Sequence, residues 1–260
     1  MEMAAQADNP PDPADFFYGR RQRIRYDKTG QPSYTYLPLT PDDFLNPQPG
    51  DEFAHGALHD QDVRLAYDLL RHLHRHNPFM TVLSNVKIKW PGYSLAQPAP
   101  DLIVISNMVD PDQPRPLFDV QVESAQPVFV LEIVSPHFAQ ADLVNKVSIY
   151  QQAGVAEYVI IDAGLRSTHA SSNGYTVVGY RLAGDVYQPI EPDERGWIYS
   201  EINRAWIGVN EQRSGFMVVD ARTGEPLAPP VERDEPVAGV YAEAVNRANS
   251  IAAQLDFLRP

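Results

Sequence analysis

The sequence predicts an α/β fold: a mixed β-sheet flanked by helices, with C-terminal hairpins and a terminal helix. Three observations predict it. Short, nearly continuous apolar runs at 101–106 (DLIVIS), 128–134 (VFVLEIV) and 157–162 (EYVIID) suit strands buried on both faces. An amphipathic segment at 139–153 joins the second run to the third, and a strand–helix–strand stretch of about 35 residues fits one right-handed crossover. Strand-like segments separated by Gly, Asn, Asp and Pro follow, and these read as hairpins.

The elements follow in order. Met1 to Pro13 is polar, acidic and Pro-rich, a composition that stays disordered. Residues 20–28 hold Arg20, Arg21, Arg23, Arg25 and Lys28, the densest basic cluster in the chain. This cluster is either a phosphate-contacting arm or a solvated basic face. Residues 34–50, rich in Pro and Asp, read as loop. Residues 58–76 place Val63, Ala66, Tyr67, Leu69, Leu70 and Leu73 on one helical stripe, and Asn77-Pro78 ends it. His72 and His76, at i and i+4, could chelate a metal but have no third acidic partner nearby. Residues 79–90 read as one strand. The helix over 139–153 presents Leu143, Val147 and Tyr150 on one side and ends at Gly154. Further strands are expected near 175–182, 186–190, 197–200 and 206–209, a small hairpin at 216–228 with Thr223-Gly224 as its turn, and a helix over 237–257.

Composition narrows the function. The 260 residues carry 21 basic and 34 acidic side chains, a net charge of −13. So acidic a chain is a poor general coat for nucleic acid, although a local basic or metal-loaded site stays open. There is no cysteine, which excludes disulfides, thiolate metal sites and cysteine nucleophiles. No apolar run is long enough to span a membrane as a helix, and residues 1–17 lack the basic and apolar regions of a secretory signal, so the expected location is cytoplasmic. Neither a Gly-x-Ser-x-Gly nor a P-loop motif is present. Glu157 and Asp162 flank the third apolar run, where pairing and turn formation are the expected roles.

A carboxylate in a buried strand is costly unless paired or metal-bound, and Asp101 and Glu132 are two such carboxylates. On neighbouring strands both could face one sheet end and hold Mg²⁺ or Mn²⁺ through hard oxygen donors. Glu132 lies about 7 Å before the end of its strand. Lys146 lies about 10 Å into the following helix. Packed antiparallel, the two come level. Asp142, one turn before Lys146, could orient it, and Tyr150, one turn after, could touch a phosphate. Such a set suits phosphodiester cleavage, where the metal activates water and the lysine stabilises developing charge. A structural alternative stays open: Asp101 bonding turn amides, Glu132 and Lys146 as a semi-buried ion pair, and Asp142 and Lys146 as a surface helix pair.

Taken together, PDLIVIS at 100–106, VFVLEIVSP at 128–136 and DLVNKVSIYQQAGVAEYVIID at 142–162 resemble the Uma-two family of "putative restriction endonucleases", in the PD-(D/E)xK nuclease-like superfamily. The resemblance implies a restriction-endonuclease-like domain over 51–210, between an N-terminal arm (1–50, partly disordered) and a C-terminal hairpin and helix (211–260). It implies a metal-dependent endonuclease acting on DNA with Mg²⁺ or Mn²⁺. Asp101, Glu132 and Lys146 would be the catalytic residues, Asp101 and Glu132 the metal ligands, and Asp142, Tyr150 and His59 their support. His59 is similar to a histidine found near the first helix of this family. The superfamily pattern has lysine two residues after the carboxylate, but that position here is Val134; the resemblance implies that Lys146 replaces it. The alternative function is a catalytically inactive module on the same fold, for binding or assembly. Nucleases of this fold often act as dimers, and the last helix could supply a dimer face.

Overall fold

A computed structural model describes residues 16–92, 94–134, 138–139, 141–163 and 174–229. The expected disorder of 1–13 and the helix expected at 237–257 lie outside the described residues. The chain divides into two compact units, Met1–Leu227 and Ala228–Pro260, and every element below belongs to the first.

In chain order the elements are β1 (Gly19–Tyr26), β2 (Pro32–Pro38), α1 (Pro41–Leu45), β3 (Asp51–Phe53), α2 (Ala57–His74), β4 (Met80–Ser84), β5 (Lys87–Lys89), β6 (Leu102–Ser106), β7 (Leu117–Asp119) and α3 (Val120–Glu123). There follow β8 (Gln126–Val134), one π-helical turn (Ala141–Asn145), α4 (Lys146–Gln152), β9 (Glu157–Asp162), β10 (Thr176–Ala183), β11 (Val186–Pro189), β12 (Ile198–Ser200), β13 (Ala205–Val209) and β14 (Phe216–Asp220).

The central sheet has six strands in the order β11-β10-β9-β8-β6-β4. Only β8 and β9 run parallel; the other pairs are antiparallel. The parallel pair flanks α4, which is the crossover expected from the apolar runs. Smaller sheets form from β2-β1-β3, β12-β13-β14 and the parallel pair β5-β7. The mixed sheet flanked by helices, with antiparallel strands toward the C-terminus, is the fold class the sequence predicts.

Strand alternation builds two cores. Phe129, Leu131 and Ile133 of β8, with Val159 and Ile161 of β9, pack on Leu69 and Leu70 of α2 and on Ile207 of β13. Val130 and Val134, with Ile103, Tyr158 and Ile160, pack on Tyr150 of α4 and on Phe44 and Phe138. By the same parity, Glu132 projects into the second layer, beside α4.

Several boundaries differ from the sequence reading. Residues 79–90 form two strands, because Asn85 adopts φ 54° and turns the chain. β5 then leaves the central sheet to pair with β7. The loop expected over 34–50 contains most of β2 and all of α1, whose capping box joins Thr40 to Asp43. α2 stops at His74, so His76 lies beyond the helix and does not share a face with His72. The helix expected over 139–153 begins as a π turn, and Gly154, at φ +76°, follows its end. Among the described residues, no helix is long and apolar enough to cross a membrane.

Candidate active site

β6 and β8 bring the two acids together. Their antiparallel register pairs Leu102 with Leu131, so the next position outward places Asp101 opposite Glu132. Two backbone amides of these strand ends hold the carboxylates. The Asp101 amide donates to Glu132 Oε2 (3.3 Å), and the Ile133 amide donates to Asp101 Oδ2 (2.7 Å).

α4 supplies the cation. Lys146 Nζ lies 2.8 Å from both Glu132 Oε1 and Asp142 Oδ1. Its other face sits 4.1 Å from the centroid of the Phe44 ring, which stacks on Phe138. The Tyr150 hydroxyl donates to Glu132 Oε1 (2.8 Å), and the Tyr158 hydroxyl donates to the Asp142 carbonyl (2.9 Å). Lys146 and Tyr150, one turn apart on α4, thus both reach Glu132 Oε1, while Asp142 in the preceding π turn reaches Lys146. Asp142 Oδ1 and Lys146 Nζ are fully buried, and neither makes an aligned hydrogen bond despite their short ion pair.

From the other side, His59 on the first turn of α2 reaches Asp101 Oδ2 with Nε2 at 3.4 Å. The His55 ring stacks on the His59 ring, with centroids 4.3 Å apart. His55 and His59, with Asp51, Phe53 and Arg64, line a cleft of about 590 Å³ that reaches Asp101. Asp101 is 6% exposed, whereas Glu132 is 1% and Lys146 0% exposed, so Asp101 is the member of the acid pair that faces the cleft.

The charges follow from this geometry. Burial and the neighbouring Asp101 and Asp142 carboxylates push Glu132 up to about 8, against the pull of Lys146. Burial likewise raises Asp142. Burial alone would lower Lys146, but Asp142, Glu132 and Asp101 outweigh it and raise its pKa. Both pKa values rise, with opposite consequences: three carboxylates favour the charged Lys146, whereas burial and two like charges outweigh one ammonium and disfavour the charged Glu132. Burial opposes ionisation of Asp101 too, yet His59, Lys146 and the Ile133 amide hold it below the usual carboxylate range. Burial opposes charging of His59, but the Asp101 and Asp60 carboxylates carry it to about 9. Burial and the adjacent charged His59 drive His55 down to about 4.

Asp101 and Glu132 offer oxygen donors of the kind a hard divalent cation takes. Glu132 resists ionisation largely because it is buried and faces other carboxylates, and a cation between the acids would relieve that repulsion. Among the described residues, no group of three His, Asp or Glu side chains stands ready to hold a metal. A cation here would take Asp101 and Glu132 and complete its shell with water, as Mg²⁺ commonly does.

Other sequence candidates fall elsewhere. Arg20 pairs with Glu52 (2.6 Å), and Arg21 with Asp43 (2.7 Å) and Asp51. Arg23, Arg25 and Lys28 are exposed on β1 and its turn. Glu157 pairs with Arg181 (2.9 Å) and accepts from Ser200 and the Glu201 amide. The His74 ring bonds Asn203 (2.9 Å). Sequence reasoning passed over His55 and Phe44. The i, i+4 spacing of His55 and His59 was the available signal for the first; nothing local marks Phe44 as the cover of a lysine a hundred residues away.

The sequence pattern of the family described as "Uma2: Putative restriction endonuclease" matches residues 43–204. No curated protein matches. A solved structure titled as a putative nuclease belonging to DUF820 from Anabaena variabilis is similar, with 11% identity over 69% of this chain and 82% of that one, and a TM-score of 0.39.

Proposed function

The chain belongs to the Uma2 family, and from that premise we propose that it is a metal-dependent endonuclease hydrolysing DNA phosphodiester bonds in the cytoplasm. The observation that carries the reading is the convergence of Asp101, Glu132 and Lys146 at one sheet end beside an open cleft. A divalent cation held by Asp101 and Glu132 would polarise the scissile phosphate and acidify a bound water. Lys146 supplies a fixed positive charge against the charge that develops on the phosphate oxygens. Asp142 holds that ammonium in place, Tyr150 fixes the Glu132 carboxylate, and His59 keeps Asp101 ionised and oriented.

A second reading has a specific observation in its favour. Lys146 and Glu132 are sealed beneath Phe44 and Phe138, as in a structural ion cluster of a non-catalytic module. A nicking assay decides between them. Purified chain with Mg²⁺ or Mn²⁺ should convert supercoiled plasmid to open circles, and Asp101→Asn should abolish this while remaining folded. Absence of cleavage of duplex DNA, single-stranded DNA and RNA by the folded wild type would favour the module.

A further inference from the structure

The β1–β2 ribbon has a charge of opposite sign to the rest of the chain. Residues 19–38 carry Arg20, Arg21, Arg23, Arg25 and Lys28 against the single carboxylate Asp27, a net +4 within a chain of −13, which leaves −17 on the remainder. At the turn, Asp27 accepts from Thr29 and from the Gln31 amide, so it orders the tip next to Lys28.

The five cations divide into two sets. Arg20 and Arg21 are tied to Glu52, Asp51 and Asp43 at the base of the ribbon. There β1 pairs with β3, whose Asp51 and Phe53 line the cleft that reaches Asp101. Gly19 makes this approach feasible: its φ is +117°, and a Cβ there would strike the Glu52 carbonyl. Among the described residues, Arg23, Arg25 and Lys28 form no ion pair. Register places Arg23 beside Thr35 and Arg25 beside Ser33, so one exposed face presents two guanidinium groups and two hydroxyl side chains. Arg23 and Arg25 lie about 6.8 Å apart along the strand, which matches the rise of about two base pairs. A two-stranded ribbon also fits a major groove about 12 Å wide.

We propose that this ribbon is the arm that holds a nucleic acid at the cleft: Arg23, Arg25 and Lys28 contact phosphates, while Arg20 and Arg21 fix the arm to the cleft wall. The proposal deepens the nuclease reading and takes its substrate class from it. The test measures fluorescence anisotropy of a short labelled DNA duplex with the full chain, in EDTA, between about 50 and 200 mM salt. Joint reversal by Arg23→Glu, Arg25→Glu and Lys28→Glu should weaken binding at least tenfold. It should also reduce the salt slope by about 2.7, or about 0.9 for each phosphate that is no longer neutralised. The milder set Arg23→Gln, Arg25→Gln and Lys28→Gln should move both in the same direction, and Arg222→Glu, an exposed reversal outside the ribbon, should leave the slope unchanged.

Unchanged binding in both ribbon variants would overturn the proposal. So would an equal loss per charge in Arg222→Glu, a wild type that binds neither duplex, single strand nor RNA, or ribbon variants that lose only self-association in sedimentation. Cleavage, scored in the same preparations, separates the two readings. A wild type that binds through the ribbon but cuts nothing sinks the nuclease alone; one that cuts while the ribbon variants bind equally well sinks the arm alone.

Discussion

Lys146 Nζ lies 2.8 Å from Glu132 Oε1, although one residue belongs to a helix and the other to the strand before it. The same ammonium lies 2.8 Å from Asp142, and all three side chains are buried. Opposed charges removed from water stabilise a fold only in company, so losing one member strands the others. Lys146→Met should therefore cost about 3–5 kcal/mol in urea unfolding. Tyr150→Phe, which removes one hydroxyl donor to Glu132, should cost only about 1–3 kcal/mol. Equal small effects would mean that the buried charges are not coupled as their distances imply.

The cluster should respond to its ion. A metal bound only by the native chain raises stability by about 2.7 kcal/mol at a hundredfold excess over its dissociation constant. Thermal unfolding should move upward with Mn²⁺ or Mg²⁺ in the wild type, and the shift should disappear in Asp101→Asn. A persistent shift in that variant would place the ion elsewhere.

Glu157 provides an internal contrast. It too is a buried carboxylate, but Arg181, Ser200 and the Glu201 amide satisfy it away from the Lys146 cluster. Glu157→Gln should lower the urea midpoint while keeping the metal-induced thermal shift. Loss of that shift would mean the two carboxylate groups are not independent.

Stability should also depend on His55. Its pKa is about 4 in the fold, against an ordinary value of 6.5. Between these values the unfolded chain binds the extra proton, so the contribution of a neutral His55 is present above pH 6.5 and is lost as pH falls toward 4. The full depression is worth on the order of 3 kcal/mol. Glu132 and His59 slope the other way, since both hold protons in the fold that the unfolded chain releases as pH rises. The difference between wild type and His55→Phe isolates the one group: in urea unfolding, the wild type should lose stability relative to the variant on going from pH 7 to pH 4.5. A constant difference would contradict the assigned burial.

Much of this was legible in the chain because periodicity encodes it. The runs 128–134 and 157–162 become the parallel pair β8 and β9; Lys146 and Tyr150 keep their spacing because both lie in α4, and Asp142 still meets Lys146 across the π turn. What was hidden depended on partners distant in sequence. Arg21 reads as a free phosphate contact until Asp43 and Asp51 fold onto it. The strand Lys87–Lys89 looks continuous with Met80–Ser84 until its pairing with Leu117–Asp119 draws it away. His55 acquires its role only from the ring of His59 and from the cleft that Asp101 closes.

Anomalous scattering from a crystal of the wild-type chain soaked in Mn²⁺ would reveal whether Asp101 and Glu132 share one ion. A peak is expected to bridge Asp101 and Glu132 and to vanish in Glu132→Gln crystals. Well-ordered density for both carboxylates with no peak between them, at Mn²⁺ concentrations that support any activity, would contradict it.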